Sequence, residues 1–174
     1  MTKQQILVLG ATGFVGKKLV KRLLDMQYSV KVLVRDPLKL QGLSDAENLE
    51  VVNGAYFDLA LLKEVLAEAQ IVLTTLSPKP FSRVSKAELQ QYKASFHELV
   101  KVLGTKDENR LIHIAGTTIK LDGEQMSSKR KRLRLIMKTL AKPSVLLKDF
   151  ELKTLAESKL NWTSIKSPLI RVCP

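Results

Sequence analysis

Gly10-Ala11-Thr12-Gly13-Phe14-Val15-Gly16 follows directly on Ile6-Leu7-Val8-Leu9, and these two stretches together decide the fold. The unbroken apolar run reads as a buried strand. The three glycines, each three residues from the next, turn the chain and restart it as a helix. Gly10 allows the tight turn, Gly13 lets the backbone approach a pyrophosphate, and Gly16 lets the helix pack closely on the sheet. The first amides of that helix have no intrahelical partner and carry a partial positive charge, so they suit an anion. Glycines also make ordinary strand-to-helix turns. Here a strand precedes them and an amphipathic helix follows, which favours dinucleotide binding. Gly10, Thr12, Gly13, Phe14, Val15 and Gly16 are the residues expected to hold the pyrophosphate.

Outward from this stretch, strand and helix alternate along the whole chain. Strands are expected over residues 5–9, 30–34, 49–52, 71–76, 111–115 and 162–165. Helices are expected over residues 13–26, 58–69, 85–103, 127–140 and 144–158. In the first helix Phe14, Val15, Leu19, Val20, Leu23 and Leu24 recur at helical spacing, while Lys17, Lys18, Lys21 and Arg22 face water. In the third, Leu89, Tyr92, Phe96, Leu99, Val100 and Leu103 share one side. The alternation implies an α/β fold with a doubly wound parallel sheet, right-handed crossovers and helices on both faces. No repeat or linker divides the chain, so residues 1–174 are expected to form one domain.

Composition bounds the function. The chain has 174 residues, 45% of them hydrophobic, and its net charge is +12. No run approaches the ~20 apolar residues of a membrane-spanning helix. With the single Cys173 and no signal-peptide pattern at the start, a cytoplasmic location is expected. No His/Cys cluster points to a metal. Residues 1–100 carry a balance of +3 and residues 101–174 one of +9, centred on Lys129-Arg130-Lys131-Arg132-Leu133-Arg134. Three readings of that basic amphipathic stretch stay open: a solvated helix face, a cover for an anionic cofactor or substrate, and a contact for nucleic acid or a protein.

Ligands of such sheets sit at the carboxyl ends of the strands. After the second strand come Arg35 and Asp36. A guanidinium pairs with a 2′-phosphate and a carboxylate with a free ribose hydroxyl, so Arg35 in first place favours NADP over NAD. His113 lies between Ile112 and Ile114 in the fifth strand and could serve as an acid. No second His or carboxylate stands at metal or triad spacing from it, so a structural role is expected. His97 and Trp162 read as packing residues, and Asp58 as a helix cap.

The Gly10-Ala11-Thr12-Gly13-Phe14-Val15-Gly16 loop, Val34-Arg35-Asp36-Pro37, Leu76-Ser77-Pro78 and Leu155-Ala156-Glu157-Ser158-Lys159-Leu160-Asn161-Trp162-Thr163 together resemble the NmrA-like, atypical branch of the short-chain dehydrogenase/reductase superfamily. The resemblance implies a Rossmann-like NAD(P)-binding domain, either an oxidoreductase or a nucleotide sensor. It places Leu76, Ser77 and Pro78 along the ribose and nicotinamide, and Lys148 at the family's lysine, bonding the nicotinamide ribose. The family's tyrosine is replaced by Ser144, and its serine pair by Ala115-Gly116, with Thr117 or Thr118 nearby to supply a hydroxyl. Near Gly54 the family's adenine-contacting aspartate is missing, leaving backbone contacts from Ala55 or Tyr56. Lys148 and Thr117 are therefore the catalytic candidates. Relatives continue past the last proline with another strand and helix, so a shortened C-terminal part is expected here, with a substrate side left open or completed by a second subunit. The implied activity is hydride transfer from NADP(H) to a small electrophilic acceptor such as a quinone, flavin or carbonyl. The alternative is a non-catalytic NADP(H) sensor working through a macromolecular partner.

Overall fold

A computed structural model describes residues 5–43, 45–78, 84–116, 119–120 and 123–167. In chain order the elements are β1 (Gln5–Leu9), α1 (Phe14–Asp25), β2 (Ser29–Val34), a short 3-10 turn (Pro37–Leu40), β3 (Leu49–Asn53), α2 (Leu59–Ala67), β4 (Ile71–Thr74), α3 (Lys86–Leu103), β5 (Arg110–Gly116), α4 (Ser128–Leu140), α5 (Lys142–Ala156) and β6 (Asn161–Ser167). The six strands form one sheet in the order β3-β2-β1-β4-β5-β6, and every neighbouring pair is parallel. The chain thus builds outward from β1 to β3, then crosses back to lay β4 against the other side of β1. That reversal opens a crevice at the carboxyl ends of β1 and β4, where the glycine loop lies.

Both faces of the sheet are covered, which explains the continuous apolar strands. Along β1, Ile6 and Val8 join Val20, Leu23 and Leu24 of α1 with Val30, Val32 and Val34 of β2. Leu7 and Leu9 face the other way, onto Leu62, Val65 and Leu66 of α2, Phe96, Leu99 and Leu103 of α3, and Leu152 and Leu155 of α5. Lys31 is buried in β2 and is held by Glu50 at 2.8 Å and Glu68 at 2.6 Å. Burial, the largest influence on its ammonium, lowers its pKa, but the two carboxylates outweigh it and hold the value above the ordinary lysine range.

Most element boundaries shift by one or two residues from the sequence reading, and three of the shifts have a visible reason. β4 ends at Thr74 rather than at residue 76, because the next residue turns its hydroxyl onto the glycine loop. α5 starts at Lys142, since Pro143 sits in the first turn, where its missing N–H leaves no bond unmade. β6 runs on to Ser167 because β5 stays paired with it as far as Gly116. Asp58 caps α2 as expected, its carboxylate accepting the Ala60 and Leu61 amides at 3.1 Å each. α4 is the exception among the helices: it buries no residue, and its place in the fold comes from packing on α5.

Candidate functional site

The turn after β1 is held in one shape by close backbone contacts. Gly10 has φ +88°, and a Cβ there would lie 2.6 Å from the Thr75 hydroxyl oxygen. A Cβ on Gly16 would lie 2.0 Å from the Gly10 carbonyl oxygen, so α1 can approach this closely only with glycine at that position. The Gly13 amide donates to the Gly10 carbonyl at 3.0 Å. Thr75 braces the turn from β4: its hydroxyl donates to the Gly10 carbonyl at 3.1 Å, and its amide to the Leu9 carbonyl at 3.0 Å. No side chain caps α1 at Gly13, and its first turn contains no acidic residue. Thr12, Gly13 and Phe14 are exposed, Val15 is half-buried, and the Lys18 ammonium stands 4.4 Å from the centre of the Phe14 ring. An uncapped helix end with an exposed glycine rim and no competing carboxylate fits a diphosphate.

One strand over, Arg35 is exposed directly after β2. Asp36 is engaged locally, accepting the Leu38 amide at 3.2 Å and facing Lys39 at 3.5 Å. Beyond β3, Tyr56, Phe57 and Tyr92 form an aromatic corner, with Phe57 and Tyr92 edge to face at 4.7 Å. Burial pushes the Tyr56 phenol well above its ordinary range, and the charge of Glu151 adds to the effect. Burial and Glu88 also raise Tyr92, while Arg35 opposes them, so the guanidinium lies within electrostatic reach of this corner. Both phenols therefore keep their protons at neutral pH.

Under β4 and β5 lies a buried polar cluster that sequence spacing did not disclose. His113 Nε2 stands 2.8 Å from Glu151 Oε2, and the same oxygen lies 2.7 Å from Lys148 Nζ. Lys148 also donates to the Leu76 carbonyl at 2.7 Å, and Ser164 Oγ approaches His113 Nδ1 at 3.3 Å. All three charged or titratable members are buried. Burial, aided by the Lys148 charge, lowers the His113 pKa despite Glu151 beside it, leaving the imidazole neutral. A neutral ring that donates from Nε2 to Glu151 and accepts at Nδ1 from Ser164 satisfies both nitrogens. For Glu151, burial is the largest influence and raises the pKa, but Lys148 and His113 together bring it below the ordinary glutamate range. The arrangement is thus a Lys148–Glu151 ion pair beside a neutral histidine, and it anchors the carbonyl of Leu76.

The expected site residues accordingly do not all meet at one place. Gly10, Thr12, Gly13, Phe14, Val15 and Gly16 come together at the turn, with Leu76 touching its edge: a Cβ on Gly10 would lie 3.2 Å from the Leu76 amide nitrogen. Ser77 is exposed, Pro78 is buried, and Tyr56 is half-buried beyond β3. Lys148 reaches the site through Leu76. Thr117 and Thr118 lie outside the described residues. Glu151 had one legible signal, its position three residues after Lys148 on the same helical face. His113 had another: it alternates with Leu111 and Ala115 on a core-facing stripe, where a polar ring must find a partner.

A family model described as NAD(P)H-binding matches residues 10–171, from the first glycine of the turn onward. The chain belongs to this NAD(P)H-binding family. Among curated relatives, it is 30% identical over 83 residues to phenylcoumaran benzylic ether reductase IRL1 of Ginkgo biloba, a match that takes in 44% of this chain and 27% of that protein. The PT1 enzyme of the same description from Pinus taeda is 29% identical over 83 residues, covering 43% and 27%. The matched stretch therefore spans about a quarter of the length of these curated relatives. Solved structures share the fold at lower identity. A short-chain dehydrogenase/reductase from Veillonella parvula in complex with NADP superposes with a TM-score of 0.71 at 20% identity, over 94% of this chain and 68% of that one. ChuY, an anaerobillin reductase from Escherichia coli O157:H7, gives 0.70 at 16% identity, over 94% and 72%. These neighbours establish a Rossmann-like fold for the NAD(P)H-binding chain. Among the described residues no helix is long and apolar enough to cross a membrane, and no three His, Cys, Asp or Glu residues gather as a metal site.

Proposed function

We propose that this protein binds NADP(H) across the carboxyl edge of its sheet and passes a hydride to a small electrophilic acceptor. The observation that carries this reading is the uncapped, carboxylate-free start of α1 behind the braced glycine turn. Gly10, Thr12, Gly13, Phe14, Val15 and Gly16 hold the pyrophosphate there. Arg35 pairs with the 2′-phosphate. Asp36, already bonded to the Leu38 amide and facing Lys39, competes poorly for a free ribose hydroxyl, which supports NADP over NAD. Tyr56 and its aromatic corner flank the adenine side. Leu76, Ser77 and Pro78 line the nicotinamide ribose, and Lys148 fixes this segment by bonding the Leu76 carbonyl.

The chemistry a reduced nicotinamide supplies when bound is a hydride. An acceptor bound beside it would take up that hydride together with one proton. With Ser144 in place of the family's tyrosine and His113 enclosed, the proton comes from solvent, which suits quinones and flavins. The protein's contribution is then chiefly orientation of the two reactants. A second reading, a non-catalytic NADP(H) sensor, is favoured by the exposed Leu135, Ile136 and Leu140 among the bases of α4, a surface suited to a macromolecular partner. NADPH oxidation measured against quinones, flavins and aldehydes separates the two. Turnover with at least one acceptor supports the reductase, whereas tight cofactor binding without any turnover supports the sensor.

A further inference from the structure

Past the carboxyl end of β5, a cleft of about 460 Å³ opens between Lys120 with residues 124–126 and α4. Its size lies within the ~300–1,000 Å³ usual for small-molecule sites. One wall is Lys120, Glu124, Gln125 and Met126, and the other is Lys131, Arg134, Leu135 and Lys138. The α4 residues stand at i, i+3, i+4 and i+7, so a single stripe of the helix faces the cleft. Three cations on one stripe repel one another and destabilise an isolated helix. Packing gives α4 little to offset this, because it buries no residue.

The acidic groups nearby are already engaged. Glu124 is bonded by Arg130 at 2.7 Å and by Lys166 of β6. Asp149 of α5 lies 2.7 Å from Arg134. Lys120, Lys131 and Lys138 have no ion-pair partner among the described residues. Between these cations, buried Met126 and the 68% exposed Leu135 present apolar surface. The bond from Lys166 to Glu124 ties the cleft to the carboxyl end of β6, the same edge of the sheet that carries the glycine turn.

We propose that the Lys120, Lys131 and Lys138 cleft binds a small organic molecule bearing two or more anionic groups on an apolar body. Separated ammonium groups select separated charges, and the Met126 and Leu135 surface selects the apolar frame between them. We assign this ligand the role of hydride acceptor, a step that rests on the function given above. Its binding in the cleft stands on the cleft alone.

Anthraquinone disulfonate and anthraquinone monosulfonate serve as probes, titrated by calorimetry into the native protein. Two double variants accompany it: Lys131→Gln with Lys138→Gln in the cleft, and Lys101→Gln with Lys106→Gln at exposed positions on the opposite edge. The disulfonate is expected to bind saturably at one site and more tightly than the monosulfonate. The cleft variant should weaken it by about tenfold or more, the difference made by one charge-assisted contact, and leave NADPH affinity unchanged. The control variant should bind like the native protein. Absence of saturable binding, or equal losses in both variants, overturns the proposal. So does a short DNA duplex that outcompetes the disulfonate through Lys129 and Arg132, which lie outside the cleft lining. If the disulfonate binds and NADPH does not, the cleft stands and the hydride-transfer reading falls.

Discussion

Arg35 is the residue on which cofactor choice turns. It is exposed at the end of β2, while its neighbour Asp36 is engaged by the Leu38 amide and Lys39. Replacing Arg35 with Ser should weaken NADPH roughly tenfold to a hundredfold, the range of a lost hydrogen bond to a charged group, with NADH nearly unaffected. Equal losses for both nucleotides in paired titrations would contradict the assignment. The Lys148–Glu151 pair is buried, and its two charges depend on each other. Glu151→Gln leaves a buried ammonium without its counter-charge and should cost about 3–5 kcal/mol in urea unfolding. Lys148→Met combined with Glu151→Leu removes both charges and should cost much less, because breaking a buried pair is worse than replacing it. Additive losses would mean the two side chains do not act as a pair. The glycine turn was readable because backbone chemistry restricts which residues can stand there. The His113, Lys148 and Glu151 cluster was not, because β5 and α5 meet only through the tertiary fold, and 38 residues separate His113 from Glu151.

At the scale of elements, capping and packing decide how firmly each helix is held. Asp58 accepts two amides at the start of α2, whose Leu62, Val65 and Leu66 are core residues. Asp58→Ala should lower global stability by about 1 kcal/mol. Ser127 caps α4 through the Arg130 amide, yet α4 buries nothing. Ser127→Ala should therefore fray α4 with little effect on the global transition, seen as faster amide exchange confined to residues 128–140. A global loss equal to that of Asp58→Ala would show that α4 is integral to the core. Most elements were legible because each carries an apolar period matched to its type. The missed boundaries sit where tertiary contacts overrule local pattern: Thr75 leaves β4 to brace the glycine turn, and β6 lengthens to follow β5. The basic stripe of α4 was also legible, but the cleft it lines depends on where Lys120 and residues 124–126 come to lie.

For the whole molecule, the buried cluster sets the response to acid. The His113 pKa lies below its ordinary 6.5 when folded, so on acidification the unfolded chain takes up a proton before the native state does. Its contribution to stability is present above about pH 6.5 and is lost as pH falls from there towards the folded value. Glu151 follows the same sign lower down: its folded pKa is held below the ordinary 4.5, so its share is lost as pH falls below that value. Melting temperature should decline from about pH 6.5 downward, and His113→Gln should flatten the upper part of that decline. An unchanged profile in this variant would show that other groups control acid stability. The parallel order β3-β2-β1-β4-β5-β6 brings the glycine turn, Arg35, Tyr56 and Leu76 to one edge, and it is this assembly that the NADP(H) reading requires. Calorimetric titration of the native protein with NADPH and with NADH tests it most directly. One saturable site is expected, with NADPH bound more tightly than NADH; heat from neither nucleotide, or a preference for NADH, would contradict an NADP(H) site at this edge.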